Sequence, residues 1–249
     1  MVKIERRILS PTAINTYLSC PRKYYLRYIR KLRTKPSIHL IRGSLIHKTI
    51  QAFHKECAQG SPGLSETEIS ENLLKMFNRF WLESKNELGA LGLPQDELKE
   101  YHDDSEQMLL NYADWFTRQD TPPLVNYSEV KIFSDCLQLM GIIDAIRISG
   151  NEVTLIDYKT SKNPTVTDEI MRQAVLYALL YQDRYKRAPN VVCIHFLKNR
   201  GDPIAIHIDE LFLEYAEILL ESVRENTRTN DERSYSCTCG GNCERDFSK

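Results

Sequence analysis

The chain has 249 residues, 42% of them hydrophobic and 27% charged. That length and apolar content suffice for a single domain with a sizeable core and exclude an intrinsically disordered chain. A net charge of −1 carries no global signature of nucleic-acid binding, so any such contact must come from a local patch.

In chain order, Ser10 followed by Pro11 opens a short helix, and Pro21 breaks or restarts it. Residues 22–35 then concentrate Arg22, Lys23, Arg27, Arg30, Lys31, Arg33 and Lys35 around Tyr24, Tyr25 and Tyr28. Cations interleaved with aromatics suit a single nucleic-acid strand; equally, the tyrosines suit a core whose rim the cations solvate. A helix over about 42–57 carries His47 and His54, and no role is assigned to His54. Ser65 with Glu68 forms a capping-box pattern that opens a helix to about residue 88, ended by Gly89, Gly92 and Pro94. A second amphipathic helix runs from about 95 to 119, with Thr121-Pro122-Pro123 as its stop. These two helices make an insertion over about 64–120, with Trp81 and Trp115 as core anchors.

Strands follow at about 125–134, 137–148 and 152–159, then a helix over about 167–185. Two more strands, about 190–198 and 203–208, precede a helix over about 209–228 and a cysteine-rich tail over about 230–249. Ser149-Gly150-Asn151 is a turn signal that folds the second and third strands into a hairpin.

The hairpin brings chemistry together. Asp144 follows Ile142-Ile143, and Asp157 follows Val153-Thr154-Leu155-Ile156, so both carboxylates interrupt apolar strands. A charge in such a place must be paired or bound to an ion. Strand alternation puts Asp157 and Lys159 on one face and Ile156 and Tyr158 on the other. Two carboxylates suit Mg²⁺ or Mn²⁺, and a neighbouring ammonium can hold a phosphate oxygen or orient a water. Glu129, on the preceding strand, reads as an exposed strand glutamate, with a secondary acidic role as the less favoured alternative.

This pattern resembles the PD-(D/E)xK nuclease superfamily, and within it the RecB-like branch. Four further segments match that branch in order: Leu9 to Leu26, Arg42-Gly43-Ser44-Leu45-Ile46-His47, Gln173-Ala174-Val175-Leu176-Tyr177, and Cys237-Thr238-Cys239-Gly240-Gly241-Asn242-Cys243. The resemblance covers residues 9–243 and implies a single α/β nuclease domain. Its restriction-endonuclease-like core, a mixed central sheet flanked by helices over about 124–208, would hold the active site at one sheet edge. It implies His47, Asp144, Asp157 and the Tyr158 carbonyl as metal ligands, Lys159 as catalytic lysine, and Gln173 and Tyr177 as contacts to DNA or to that lysine. The insertion would gate a channel for single strands.

Cys57, Cys136 and Cys193 stand singly and read as small buried hydrophobes, whereas Cys237, Cys239 and Cys243 crowd a polar tail that has little core to join. With Cys20 they supply four thiolates, enough for a [4Fe–4S] cluster or a zinc site. One early and three late cysteines is the arrangement of the branch's iron–sulfur subgroup, which implies [4Fe–4S], with zinc as the alternative. The spacing departs from that pattern: here it is C-x-C-x3-C, where the family more often has C-x2-C and a later third cysteine. The cysteine usage, with no signal peptide and no long apolar stretch, suits a cytoplasmic protein away from membranes.

The relatives so resembled include the CRISPR-associated Cas-four type exonucleases and the nuclease domains of RecB- and AddB-type helicases. They imply a Mg²⁺- or Mn²⁺-dependent deoxyribonuclease, an exonuclease on single-stranded DNA ends in CRISPR adaptation or in recombination and repair. CRISPR integration proteins or a helicase would be its partners; the chain has no G-x-x-x-x-G-K-[ST] motif of its own. The alternatives are a non-catalytic iron–sulfur or zinc scaffold subunit and an RNA-directed nuclease. Polarity of digestion, the balance of end and internal cleavage, and oligomeric state are not encoded in any motif.

Overall fold

A computed structural model describes residues 7–57, 65–119 and 123–247. The expected helix stop at Thr121-Pro122 lies outside the described residues. A five-stranded sheet runs in the order β1 (Tyr127–Ser134), β2 (Leu139–Ser149), β3 (Glu152–Lys159), β4 (Val191–Phe196) and β5 (Ile204–His207). The first three strands form an antiparallel meander, β3 and β4 are parallel, and β5 returns antiparallel. The sheet is therefore mixed. Gly150 at φ 57° turns the β2–β3 hairpin, in a left-handed conformation that glycine adopts without steric cost.

The parallel pairing needs a crossover, which α7 (Asp168–Tyr185) supplies. Thr167 caps it by accepting from the Ile170 N–H, and Asp168 and Glu169 complement its positive end. Its residues Ala174–Tyr181 are buried without interruption. An all-round apolar stretch belongs to a helix covered on every side. Here the covers are the sheet, α1 (Pro11–Ser19) and α8 (Glu210–Asn226).

The opposite face carries α3 (Ile38–Cys57), α4 (Glu66–Glu83) and α6 (Gln95–Thr117), packed around Phe53, Phe77, Tyr112 and Trp115. The strand β3 divides the two layers by its period of two: Val153 and Leu155 join the α7 layer, whereas Ile156 and Tyr158 join the α3–α6 layer. Trp115 is buried, and Trp81 packs half-buried against the same cluster.

Several boundaries differ from expectation. Helix α3 begins four residues earlier, at Ile38, because Ser37 accepts from the N–H groups of Leu40 and Ile41. The capping box at Ser65 and Glu68 forms as expected, but α4 ends at Glu83 and a separate short α5 (Lys85–Gly89) follows Ser84. Helix α2 (Pro21–Tyr24) restarts the chain after Cys20 and widens into a π-turn over Tyr25–Ile29. Cys57 and Cys193 are partly buried, but Cys136 sits exposed in the β1–β2 turn, contrary to its expected burial. A cysteine within a four-residue turn has no sheet above it to hide it.

Candidate active site

Five of the expected residues meet at the end of the β2–β3 hairpin. Asp144 Oδ2 accepts from the Tyr158 N–H at 2.8 Å, which holds its Oδ1 3.3 Å from His47 Nδ1. His47 Nε2 lies 3.1 Å from the Tyr158 carbonyl and, as a hydrogen bond, donates to it. That fixes the tautomer when the ring is neutral: the lone pair is on Nδ1 and faces carboxylates. Burial opposes charge on this imidazole, yet Asp144, Asp157 and Glu129 outweigh it and raise His47 to about 9. A cation is wanted there, whether a proton or a metal.

Asp157 is 4% exposed. Burial pushes its carboxyl up to about 6, against the pull of the Lys159 ammonium beside it. Lys159 Nζ stands 2.6 Å from Asp157 Oδ2, an ion pair in a dry place. The same ammonium donates to Gln173 Oε1 at 2.7 Å, and Gln173 Nε2 donates to the Tyr177 hydroxyl at 2.9 Å. Gln173 and Tyr177, four residues apart on α7, thus form one arm that holds the lysine. Gly141 on β2 lets that arm close: a Cβ there would stand 2.9 Å from Tyr177 Cε1.

Glu129 was underestimated by the sequence. Ser128 pairs with Ala145 and Val130 with Ile143, which leaves Glu129 opposite Asp144. It is half-buried, its carboxylate 3.9 Å from His47 Nδ1, and burial followed by the Asp144 charge raises its pKa. Its φ of 51° is a left-handed kink within a strand, a strained geometry for a residue with a side chain. Extending the hairpin register one strand back would have found it.

His47, Glu129 and Asp144 can each offer a ligand atom within 4.8 Å of the others. Carboxylate oxygens with one imidazole suit Mg²⁺ or Mn²⁺, and Asp157, buried close by, already faces a cation in Lys159. The donor set therefore fits a divalent metal.

The second cluster joins both chain ends. Cys20, at the α1–α2 junction, lies with Cys237, Cys239 and Cys243 so that all four sulfurs fall within 4.8 Å of one another. Cys237 Sγ is 3.6 Å from Cys239 Sγ and 3.5 Å from Cys243 Sγ. Gly240 and Gly241, at φ 64° and 85°, turn the loop so that the Gly241 N–H donates to Cys237 Sγ and the Cys243 N–H to Cys239 Sγ. A tetrahedral ion with bonds of 2.3 Å sets sulfurs ~3.8 Å apart. In a cubane each thiolate points outward from its own iron, which drives the sulfurs past the 4.8 Å that bounds all four here. The four thiolates could hold a zinc ion or an iron–sulfur cluster, and their present spacing is nearer that of a single ion.

The tail is pinned further by Arg22 to Glu232 and by Lys23 to Asp246 at 2.6 Å. Tyr24 and Tyr25 are buried against Tyr235. Within residues 22–35 the first cations and tyrosines are thus structural, while Arg30, Lys31, Arg33 and Lys35 stay exposed.

Residues 8–245 match the PD-(D/E)XK nuclease superfamily. The chain belongs to that superfamily. The Gene 69 protein of Mycobacterium phage D29 is 25% identical to this PD-(D/E)XK chain over 198 residues, covering 73% of it and 72% of the phage protein. The crystal structure of a protein of Eubacterium rectale described as "Putative exonuclease" superposes with a TM-score of 0.60 at 11% identity, covering 98% of this chain and 89% of that one. The structural likeness establishes the fold alone. Among the described residues, no helix is long and apolar enough to cross a membrane.

Proposed function

We propose that this PD-(D/E)XK protein is a metal-dependent deoxyribonuclease, an exonuclease acting on single-stranded DNA ends. The observation that carries the reading is the convergence of His47, Asp144, Asp157 and Lys159 at one end of β2 and β3, with the buried Asp157 carboxylate ion-paired to Lys159. His47 Nδ1, Asp144 and Asp157 would hold Mg²⁺ or Mn²⁺, with Glu129 as a further oxygen donor. The Tyr158 carbonyl, which engages His47, would have a second lone pair to offer the ion. The metal supplies Lewis acidity at a phosphate oxygen.

The chain's own groups do the rest. Lys159, steered by Gln173 and Tyr177, presents its ammonium where negative charge gathers on the phosphate in the transition state. The polar loop from Thr160 to Pro164 leaves this edge open to a strand.

For the cysteine site we infer zinc, one ion per chain, as a staple between α2 and the tail. Metal analysis of anaerobically purified protein tests it: one zinc and no visible absorption supports the staple, and about four irons in a brown protein contradicts it. The biological setting is processing of DNA ends in recombination, repair or CRISPR adaptation, with a helicase or integration proteins as partners.

The test of the activity is digestion of end-labelled single-stranded DNA with Mn²⁺ or Mg²⁺ against EDTA. A metal-dependent ladder shortening from one end is expected and gives the polarity. Equal cleavage in EDTA, or competition only by RNA strands, overturns the reading.

A further inference from the structure

A cavity of about 650 Å³ lies just past the active-site edge, and the catalytic arrangement does not use it. Its floor is Thr160, Ser161 and Lys162, the residues that follow Lys159, together with Lys198, which follows β4. It therefore opens beyond the carboxyl ends of the parallel pair β3 and β4, where crossover folds leave room for ligands. Its walls come from α3, through Arg42, and from α6, through Tyr101 and Asp104.

Two cations converge there on one oxygen. Arg42 Nη1 and Lys198 Nζ each stand 2.6 Å from Asp104 Oδ2. The Arg42 side chain is only 7% exposed, its guanidinium lies over the Tyr101 ring, and its Nε has no partner. An unsatisfied guanidinium N–H in a dry site is costly, and it leaves Arg42 with hydrogen-bonding capacity that Asp104 does not use. Asp104 occupies that seat in the free protein. Glu97 and Glu100 line the same cavity, so its formal charge is balanced and a strand phosphate has to displace a carboxylate rather than fall into an open cationic well.

The geometry points to this cavity as a phosphate subsite for the DNA strand adjacent to the cleaved bond, with Arg42 and Lys198 as its donors and Asp104 as a built-in competitor. The ligand is a phosphate group of the strand, either a terminal monoester or the next diester. The volume of the cavity accommodates the attached nucleotide. A competing carboxylate suits turnover: it keeps the subsite from holding product after each step. The inference deepens the exonuclease reading and rests on it for the identity of the strand.

The experiment separates binding from chemistry. Equilibrium binding of fluorescent single-stranded oligonucleotides in EDTA is measured for the full chain and for Lys198→Ala, Asp104→Asn and Lys159→Ala, with 5′-phosphate, 5′-hydroxyl, 3′-phosphate and 3′-hydroxyl ends. Loss of one charged donor predicts roughly tenfold weaker binding for Lys198→Ala. Asp104→Asn should bind several-fold more tightly. A loss confined to one phosphorylated end assigns a terminal monoester; an equal loss for all ends assigns the neighbouring diester. Arg42→Gln is checked alongside, but Lys198, on the cavity rim, keeps the test valid should that variant fail to fold. Binding within twofold of wild type for both Lys198→Ala and Asp104→Asn overturns the proposal. Because no metal or cleavage is involved, a protein that binds as expected but does not cut DNA refutes the nuclease reading and leaves the subsite standing.

Discussion

Gly141→Ala tests the packing that holds Lys159, the proposed catalytic lysine. The added Cβ would meet Tyr177 Cε1 at 2.9 Å, Leu180 Cδ2 at 3.1 Å and Tyr177 Cδ1 at 3.3 Å. The ring must retreat by roughly half an ångström to regain ordinary contact. Tyr177 is 7% exposed, and Leu176, Leu179 and Leu180 around it are buried, so α7 has nowhere open to move. Overpacking of this kind costs about 1–3 kcal/mol, or roughly 3–10 °C in Tm for a chain of this size. The displaced hydroxyl also loosens Gln173 and, through it, Lys159. Urea melts give the stability and single-turnover cleavage of the folded fraction gives the rate; both should fall. Gly89→Ala is the control, since nothing lies within 4 Å of that Cβ and a helix gains up to about 1 kcal/mol from the exchange. If Gly141→Ala matches wild type in both assays while Tyr177 keeps its place, the arm through α7 is wrong.

Other outcomes follow from the same contacts. Gln173→Leu removes the acceptor of Lys159 without opening a cavity, and should lower the maximal rate about tenfold with little change in Tm; an unchanged rate would detach the glutamine from catalysis. Saturating Mn²⁺, at a hundred times its dissociation constant, should stabilise the fold by about 2.7 kcal/mol, and Asp144→Asn should abolish most of that gain in a thermal-shift assay. Burial lowers His54 to about 4, and among the described residues it hydrogen-bonds only to the Tyr112 hydroxyl. The unfolded chain binds a proton near 6.5 that the folded one refuses, so this contribution is complete above pH 6.5 and is lost as pH falls toward 4. The full loss is about 3 kcal/mol, most of it between those limits. Urea midpoints at pH 7 and pH 5 should show His54→Phe losing less than wild type on acidification; equal losses would remove His54 from the account.

Much of the site was legible because its determinants are local. A turn tripeptide fixes the hairpin, and the hairpin fixes Asp144 against Asp157; a spacing of four places Gln173 and Tyr177 on one helical face. What escaped depends on pairings made at a distance. Glu129 becomes part of the site only through the β1–β2 register, and its left-handed backbone has no signature in the surrounding residues. The dual character of residues 22–35 resolves only once Tyr235 and the tail acids arrive from the far end of the chain. Likewise Arg42 and Lys198, 156 positions apart, meet on Asp104 because three separate elements converge past the sheet. The cysteine motif identified its four ligands but not their occupant, since that depends on the distances between sulfurs.

The most direct measurement of the central claim is cleavage of end-labelled single-stranded DNA in saturating Mn²⁺ by wild type and Lys159→Ala, with Mn²⁺ affinity measured on both. The proposed ligands His47 and Asp144 stay in place, so the variant should bind the metal and the strand yet cut at least a hundredfold more slowly, consistent with a loss of transition-state stabilisation. A Lys159→Ala protein that cuts at the wild-type rate would show that the chemistry lies elsewhere.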